Sequence, residues 1–466
     1  MIENGEILWV HSESNDPCLA SIDETLNVGR VRQLVRVLCE RVRSQVGTQS
    51  VIGLDCSDDV DTALMILALM RSNVDCVLTC RGVPLPALGT WTPVNVGFGQ
   101  GRVFECRGSL WPANRGTTLP RSADSLVMIP TGGTTEDRRY AMHTWRSAMG
   151  GALRSTESVR ENHQPGSGRL RFASLLSPSS IGWLSILFQA GLLGEVLCLG
   201  GQSSMGSLQL LQPTNLGASA HTVRTLERSS FVWSAQLRML GVGGGPVPVA
   251  KLRSLQRRLD CMVVNGYGCT ETGGAVALSA ITGRSDPDEV VRRIHPLPGV
   301  CMSWQTGHQA MPELVVATDS MCLGYAYADG TMRRLESGKP FATGDVALTR
   351  GDDQSFEVLG RSCASVTRGG RTVLCEVLEG AIKSLEPIAD VAVIGVPSIQ
   401  EGEEDVHSFV VLCDGAAVSE PDLRRLMVTC LDTRWVPRRV HVVQDLPRTV
   451  DGKVARHRLA AGVAGG

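Results

Sequence analysis

Lysine is scarce in this chain. Only four of its 45 basic residues are lysines, and arginine supplies the rest. The four are Lys251, Lys339, Lys383 and Lys453. Because an ammonium is a compact point charge and a guanidinium is a planar fork, the two are not interchangeable at a binding site. A lysine that persists in so arginine-rich a chain therefore marks a position that favours an ammonium.

The chain also lacks an excess charge of one sign, a basic leader and long apolar runs. Its net charge is −2, so it shows no electrostatic footprint for nucleic acid or for an anionic membrane. Apolar stretches such as residues 63–70 fall short of the roughly 18 residues that a membrane-spanning helix needs. The first residues carry neither the basic start nor the apolar core of a signal peptide. We therefore expect a cytoplasmic protein without nucleic-acid or membrane partners.

The fifteen cysteines include no C-x-x-C pair. An odd and dispersed set is typical of reduced thiols that act as small buried hydrophobes, and it argues against a zinc site. Four histidines likewise have no metal or triad spacing around them, so each is expected in the core or on the surface; they are His143, His221, His295 and His441.

A length of 466 residues with 43% apolar residues favours two or more structural units. Apolar runs at residues 51–55 and 76–79 flank a helix-like segment at 61–71. This spacing predicts parallel strands joined by a crossover helix, and similar alternation recurs between residues 170 and 264. The pattern predicts an α/β protein, with a large first domain over residues 1–360.

The pattern changes after Gly360. A helix-like segment at 376–384 is followed by strands at 391–396 and 408–413, a helix at 421–431 and a strand at 440–443. These elements form a compact α+β unit of reasonable domain size. We expect a hinge at residues 361–364, a second domain over 361–466 and a frayed tail from residue 460.

Four short segments carry candidate chemistry. They are TGGTT at 131–135, GYGCTE at 266–271, TGD at 343–345 with Gly360 and Arg361 behind it, and PRTVDGK at 447–453. Glycines let a backbone approach phosphate oxygens, and threonine hydroxyls add donors. A carboxylate such as that of Glu271 suits a hard cation. Each segment alone also fits a polar turn, a surface ion pair or a surface lysine.

In this order and at these separations, the four segments resemble the signature of the adenylate-forming superfamily over roughly residues 125–455. Within it the chain is similar to small aryl-CoA ligases, the o-succinylbenzoate-CoA ligases in particular. The resemblance implies a large N-terminal α/β domain and a small mobile α+β C-terminal domain. It implies that a small carboxylic acid reacts with ATP to form an acyl-adenylate and pyrophosphate, with Mg²⁺ as the cofactor. Acyl transfer, most simply to CoA, would follow.

The resemblance also implies residue roles. ATP would be held by Thr131, Gly132, Gly133, Thr134, Thr135, Arg139, Gly244, Asn265, Gly266, Tyr267, Asp345 and Arg361. Catalysis would fall to Thr270, Glu271 and Lys453, with Glu271 also holding magnesium. The acyl pocket would be lined by Ser180, Trp183 and Gly268, and the thiolation loop that serves CoA would contain Gly369, Gly370 and Arg371.

The sequence departs from the superfamily pattern at three places. Glu136 and Asp137 interrupt the phosphate loop, where Arg139 would replace the usual lysine. Ser180 replaces a pocket histidine and leaves a smaller, more polar wall, which implies an acyl substrate that is bulkier or carries hydrogen-bonding groups and favours specialised metabolism. Cys363 occupies the hinge position, and the loop behind it is one residue short. These changes leave open an acceptor other than CoA, namely a carrier protein or an amine. The rival from another class is a degenerate protein that binds nucleotide without turnover, and the oligomeric state is not indicated.

Overall fold

The computed structural model describes most of the chain, and the structural statements below concern the residues that it describes. These are residues 7, 9, 15–45, 50–80, 85–88, 92–97, 103–110, 125–131, 139–161, 168–200, 205–220, 222, 223, 226, 236–245, 247–281, 292–307, 310–336, 338–349, 354–400, 402–449 and 453–464. Contacts divide the chain into two compact units, Met1–Val300 with Ala317–Lys339 and Cys301–Val316 with Pro340–Gly466. The hinge at residues 361–364 and the domain boundary placed beside it stay predictions.

The elements alternate along the chain as an α/β protein requires. The helices are α1 (Val28–Gln45), α2 (Val60–Ser72), α3 (Trp145–Ala148), α4 (Gly150–Glu161), α5 (Ile181–Leu193), α6 (Met205–Leu211), α7 (Val249–Leu259), α8 (Cys375–Ile382), α9 (Glu420–Val428) and α10 (Arg456–Ala464). The strands are β1 (Pro17–Ala20), β2 (Thr25–Asn27), β3 (Ser50–Asp55), β4 (Asp75–Thr79), β5 (Thr92–Gly97), β6 (Val103–Leu110), β7 (Leu126–Pro130), β8 (Arg139–Thr144), β9 (Arg171–Ser174), β10 (Val196–Cys198), β11 (Asn215–Ser219), β12 (Met239–Gly243), β13 (Met262–Cys269), β14 (Gly274–Ile281), β15 (His295–Pro296), β16 (Cys301–Thr306), β17 (Pro312–Ala317), β18 (Gly324–Tyr327), β19 (Met332–Arg334), β20 (Phe341–Thr349), β21 (Phe356–Arg361), β22 (Ser365–Arg368), β23 (Arg371–Leu374), β24 (Ile388–Pro397), β25 (Glu404–Leu412) and β26 (Arg439–Val442).

Two large sheets form the first unit. One has nine strands in the order β15-β14-β13-β12-β11-β9-β10-β1-β2, and the other has eight in the order β19-β18-β8-β7-β4-β3-β6-β5. The predicted parallel pair is confirmed, since β3 and β4 run parallel and α2 connects them. Both sheets are nevertheless mixed, because hairpin partners such as β14 run antiparallel to their neighbours. The α/β fold class is confirmed.

Helix α2 is an element of the core that could be predicted from the sequence. Asp59 caps it by accepting a hydrogen bond from the Thr62 backbone N–H at 2.7 Å, and it ends at Asn73 in the left-handed conformation. Its residues 63–69 are fully buried in one cluster with α1, α4 and α5. A helix that is apolar on all sides belongs in a core, as this one does.

The second unit contains smaller sheets and the helices α8, α9 and α10. Its sheets have the orders β16-β17-β20-β21, β22-β23 and β24-β25-β26. The strands and helices predicted between residues 376 and 443 all form, within a few residues of their predicted ends. The prediction of a frayed tail from residue 460 is wrong as far as residue 464. Leu459 is buried there in a cluster with Ile394 and Phe409, which holds α10 in place.

Two further sequence expectations concern exposure. Among the helices that the structure describes, none combines the length and apolar character needed to cross a membrane. Of the fourteen cysteines that the structure describes, eight are buried, in keeping with their predicted role as small hydrophobes. Cys363 is exposed.

Candidate active site

The turn between β13 and β14 carries the first two predicted catalytic residues. A 3-10 turn over Thr270–Thr272 connects the strands, and Gly273 follows it with a positive φ of 68°. The Thr272 hydroxyl closes the turn by accepting from the Cys269 N–H at 3.1 Å and lying 2.8 Å from the Gly274 carbonyl. Thr270 and Glu271 are therefore held on a short rigid connection.

Glu271 is a buried carboxylate with two donors on one oxygen. The Tyr325 hydroxyl donates to Glu271 Oε1 at 3.0 Å, and Arg139 Nη2 lies 3.3 Å from the same atom. The Arg139 guanidinium also stacks over the Tyr325 ring, with Cζ 4.2 Å from the ring centroid. Burial and the Glu271 charge raise the pKa of Tyr325, so the phenol keeps its proton and acts as a donor.

Arg139 also joins Glu271 to the start of the predicted phosphate loop. Its Nε lies 3.3 Å from Thr131 Oγ1, and its carbonyl accepts from the Thr131 N–H at 3.0 Å. The structure thus brings together Thr131, Arg139 and Glu271. The predicted loop residues Gly132, Gly133, Thr134 and Thr135 lie outside the described residues, as do Glu136 and Asp137.

A fully buried histidine supports the Thr270 turn. His143 Nε2 lies 2.7 Å from the Thr270 carbonyl, and Nδ1 lies 2.9 Å from the Ser147 hydroxyl. Since a carbonyl only accepts, Nε2 carries the proton and Nδ1 accepts. Burial lowers the pKa of His143 from 6.5 to about 4, so it is neutral at physiological pH. The sequence indicated only a core or surface residue here.

Helix α4 forms the scaffold behind the same turn. Arg154 Nη2 donates to the Thr272 carbonyl at 3.1 Å, and Arg154 Nε donates to the Ala275 carbonyl at 3.2 Å. The Gly151 N–H donates to the Gly273 carbonyl at 2.8 Å. A Cβ on Gly151 would lie 2.6 Å from that carbonyl oxygen, so only glycine permits this approach.

The predicted adenine-side residues lie at the ends of neighbouring strands. Asn265 pairs with Val242 in the parallel β12–β13 ladder, and Tyr267 stands opposite Ala277 on β14. The antiparallel register then shifts at Gly268, where a Cβ would lie 2.2 Å from the Gly274 carbonyl oxygen. Gly244 follows β12 with a positive φ of 76°. The nucleotide-binding roles of Gly244, Asn265, Gly266 and Tyr267 stay predictions.

The predicted acyl-pocket residues belong to the start of α5. Ser180 caps the helix by accepting from the Trp183 N–H at 3.2 Å, and its hydroxyl donates to the Ser177 carbonyl at 2.6 Å. Trp183 is only 1% exposed and its indole N–H donates to Asp58 Oδ1 at 3.0 Å. Its ring therefore packs in the core, and its place in a pocket wall stays a prediction.

Within the second unit, the structure brings Asp345 and Arg361 together. They face each other across the antiparallel β20–β21 pair, with Arg361 Nε 2.8 Å from Asp345 Oδ1. Arg361 Nη1 donates to the Thr343 carbonyl at 2.8 Å, and the Thr343 hydroxyl lies 3.1 Å from the Asp345 N–H. This pairing holds an acceptor carboxylate in a fixed orientation, as recognition of a diol requires.

Lys453 is exposed, and its backbone pairs with that of Thr449. The Thr449 N–H donates to the Lys453 carbonyl at 2.8 Å, and the Lys453 N–H donates to Thr449 Oγ1 at 3.1 Å. Arg448 and Val454 form an antiparallel bridge just outside this pair. These contacts hold the backbone of the predicted catalytic lysine and of Val454 against residues 448 and 449.

The predicted thiolation loop is a two-residue hairpin. Gly369 and Gly370 connect β22 to β23 with positive φ angles of 59° and 62°, the conformation that the tightest hairpin turns need. Arg371 opens β23 directly opposite Arg368. Glu403 accepts from the Gly369 N–H at 2.6 Å, which fixes the tip.

Tyr325, His143 and Arg154 are supporting residues that the sequence did not point to. Each acts through a partner distant in the chain: Glu271, the Thr270 carbonyl and the Thr272 carbonyl. One weak signal was available for Tyr325, because the chain has only four tyrosines. For the other two, no local pattern separates them from ordinary core residues.

Comparisons with known proteins identify the family of the chain. The family model described as AMP-binding enzyme matches residues 58–325, and that of the AMP-binding enzyme C-terminal domain matches residues 377–453. A relative named probable 2-succinylbenzoate–CoA ligase, from Mycobacterium tuberculosis, is 27% identical over 363 residues. The aligned part is 73% of this chain and 85% of that protein.

Solved structures share the fold over nearly the whole chain. The o-succinylbenzoate CoA synthetase of Bacillus subtilis, in complex with its acyl-adenylate intermediate, superimposes with a TM-score of 0.76 at 16% identity, covering 97% of this chain and 98% of that one. An amide bond synthetase of Marinactinospora thermotolerans gives a TM-score of 0.73 at 18% identity, with 98% of both chains covered. At such identities the likeness establishes the fold alone.

Proposed function

The chain belongs to the AMP-binding enzyme family, and from this premise we propose that it is an ATP-dependent ligase that converts a small carboxylic acid to its CoA thioester. A carboxylate oxygen attacks the α-phosphorus of ATP, and the bond to the β-phosphate breaks to release pyrophosphate. The thiolate of CoA then attacks the acyl carbonyl and AMP leaves. The 2-succinylbenzoate–CoA ligase relative supports both the acid class and CoA as acceptor.

The observation that carries the proposal is the buried Glu271 carboxylate on its rigid turn. A hard cation such as Mg²⁺ takes one or two protein carboxylates and completes its shell with phosphates and water, which this donor fits. When bound, Mg²⁺ would be held by Glu271 and would offset charge on the ATP phosphates. Tyr325 keeps the carboxylate oriented, and Arg139 supplies a guanidinium beside it.

The other predicted residues have separate tasks in this proposal. Asp345, oriented by Arg361, accepts hydrogen bonds from the ribose hydroxyls. Lys453 supplies the ammonium that stabilises charge as the carboxylate displaces pyrophosphate. Retention of a lysine at this position in a lysine-poor chain supports turnover and not simple nucleotide binding. We place the reaction in the cytoplasm and in specialised metabolism.

Carboxylate-dependent exchange of labelled pyrophosphate into ATP tests the adenylation step. We expect exchange with one group in a panel of aryl, fatty and amino acids, and Lys453→Ala should lower it about 10²- to 10³-fold while ATP still binds. Lys339→Ala is the matched control, since Lys339 is an exposed lysine paired with Glu336.

No exchange with any acid, at intact ATP binding, would contradict the proposal and favour the degenerate binding protein. The acceptor is identified separately, by offering CoA, a phosphopantetheinylated carrier protein and simple amines to the enzyme with its acid and ATP. Thioester formation with CoA is expected. Amide formation or carrier loading without CoA turnover would replace the acceptor and leave the adenylation step standing.

A further inference from the structure

Asp390 is a buried carboxylate that is not among the residues predicted to bind substrates. It lies in β24 and is only 3% exposed. Its Oδ1 is 2.8 Å from Lys383 Nζ, and its Oδ2 is 2.6 Å from Arg448 Nη2. Charged hydrogen bonds in a buried setting are short and directional, so Asp390 fixes the positions of both cations.

Arg448 connects Asp390 to the backbone pair that Thr449 forms with Lys453. It forms the antiparallel bridge with Val454, beside the hydrogen bonds that join Thr449 to Lys453. Two residues before it, Leu446 is buried among residues of β24 and β25. The chain leading into the Thr449–Lys453 pair is therefore held by the buried Leu446 side chain and by the Asp390–Arg448 ion pair.

We propose that Asp390, acting through Arg448, is a positioning residue that fixes Lys453 for the adenylation step. The inference rests on the proposed function of Lys453. An ammonium that stabilises a developing charge must be placed to within a fraction of an ångström, and a misplacement of about 1 Å costs about 10²-fold in rate. Because Lys453 serves only the first half-reaction in this proposal, the anchor serves only that half-reaction as well.

The two cations on Asp390 allow a variant that removes the anchor without leaving a buried charge alone. Arg448→Met removes the ion pair between residue 448 and Asp390, while Lys383 still neutralises the Asp390 carboxylate. Arg448→Lys keeps a cation at the position and is the conservative rescue. Arg438→Met is the matched control, because Arg438 pairs with Asp405 at the surface and is 56% exposed.

The test compares the two half-reactions. For Arg448→Met we expect pyrophosphate exchange to fall about 10- to 100-fold in kcat at an unchanged KM for ATP. Thioester formation from synthetic acyl-adenylate and CoA should stay within about twofold of the parent. Arg448→Lys should recover part of the loss, and Arg438→Met should show none. Unchanged exchange, or an equal fall in both half-reactions, would overturn the proposal.

Hydrogen–deuterium exchange of the full chain supplies a readout that does not depend on activity. Arg448→Met should raise deuterium uptake in residues 447–455 and leave residues 391–396 of β24 as protected as in the parent. Unaltered uptake at 447–455 would overturn the positioning role even if no acid supported turnover. Failure of the proposed function and failure of this inference are thus distinguishable.

Discussion

Tyr325 contacts both charged side chains of the candidate site in the first unit, Glu271 and Arg139. Its hydroxyl binds Glu271, and its ring face carries the Arg139 guanidinium. One side chain therefore orients an anion and a cation at once. Glu271 and Arg139 could be predicted from their motifs, whereas Tyr325 could not, because its role depends on contacts 54 residues away in the chain.

Tyr325→Phe should raise the Mg²⁺ concentration that the enzyme needs for pyrophosphate exchange. The aromatic ring under Arg139 stays in place. A hydrogen bond to a charged group contributes about 1.5–3 kcal/mol, so pyrophosphate exchange should fall about tenfold or more at limiting Mg²⁺. The measurement is a Mg²⁺ titration of exchange at fixed ATP, together with calorimetry of Mg-ATP binding. Tyr327→Phe, on the same strand, is the control. An unshifted Mg²⁺ dependence in Tyr325→Phe would remove its orienting role.

At the scale of elements, helix α4 and the β13–β14 hairpin form one packed unit. Gly151 and Gly273 touch backbone to backbone, and Arg154 bonds two hairpin carbonyls. Periodicity predicted the individual strands and helices well, and those between residues 376 and 443 form as expected. It did not predict the antiparallel partners such as β14, because strand pairing is decided by contacts outside the local sequence.

Gly151→Ala should therefore destabilise the first unit and disturb Glu271. The added Cβ would lie 2.6 Å from the Gly273 carbonyl oxygen, and forced contacts of this kind cost about 1–3 kcal/mol. Gly380→Ala in α8 is the matched control, since a Cβ there meets nothing within 4 Å and should stabilise slightly. For both variants, urea unfolding measures the stability, and the rate of pyrophosphate exchange measures the effect on the Glu271 site. Equal behaviour of the two variants would show that α4 can move away without consequence.

At the scale of the whole molecule, the buried neutral His143 makes stability depend on pH. Its pKa is about 4 in the folded protein against an ordinary 6.5. The unfolded chain therefore binds a proton below pH 6.5 that the native protein does not take up until about pH 4. Neutral His143 therefore contributes about 3 kcal/mol to the free energy of unfolding above pH 6.5. This contribution is lost as the pH falls from 6.5 to 4.

His143→Gln should flatten this part of the pH profile. The glutamine amide still donates toward the Thr270 carbonyl but does not titrate. The measurement is the free energy of unfolding in urea at intervals between pH 7 and 4, for parent and variant. The parent should lose more stability than the variant over this range. Parallel curves would show that another group is responsible for the acid sensitivity.

The sequence predicted that the chain has two units, but it did not predict how all the strands of each unit pair. The change of pattern after Gly360 marked a separate α+β unit, and helices α8 and α9 with the last strands confirm its content. The four-stranded sheet of β16, β17, β20 and β21 belongs to the same compact unit, and the boundary expected at residue 360 stays a prediction. The pairing of β17 with β20, which are separated in the chain by two strands of another sheet, has no local signature.

The exposed thiol of Cys363 gives this enzyme a natural attachment point for a reporter dye. Most of the described cysteines are buried, and burial raises the pKa of thiols such as Cys261 and Cys375 to about 12, which makes them slow to alkylate. With Cys301→Ser removing the second thiol that is exposed among the cysteines of described exposure, a maleimide fluorophore would attach preferentially at the predicted hinge. Its emission, followed in a stopped-flow instrument as ATP, acid and CoA are added in turn, would time each stage of turnover in a single mixing series.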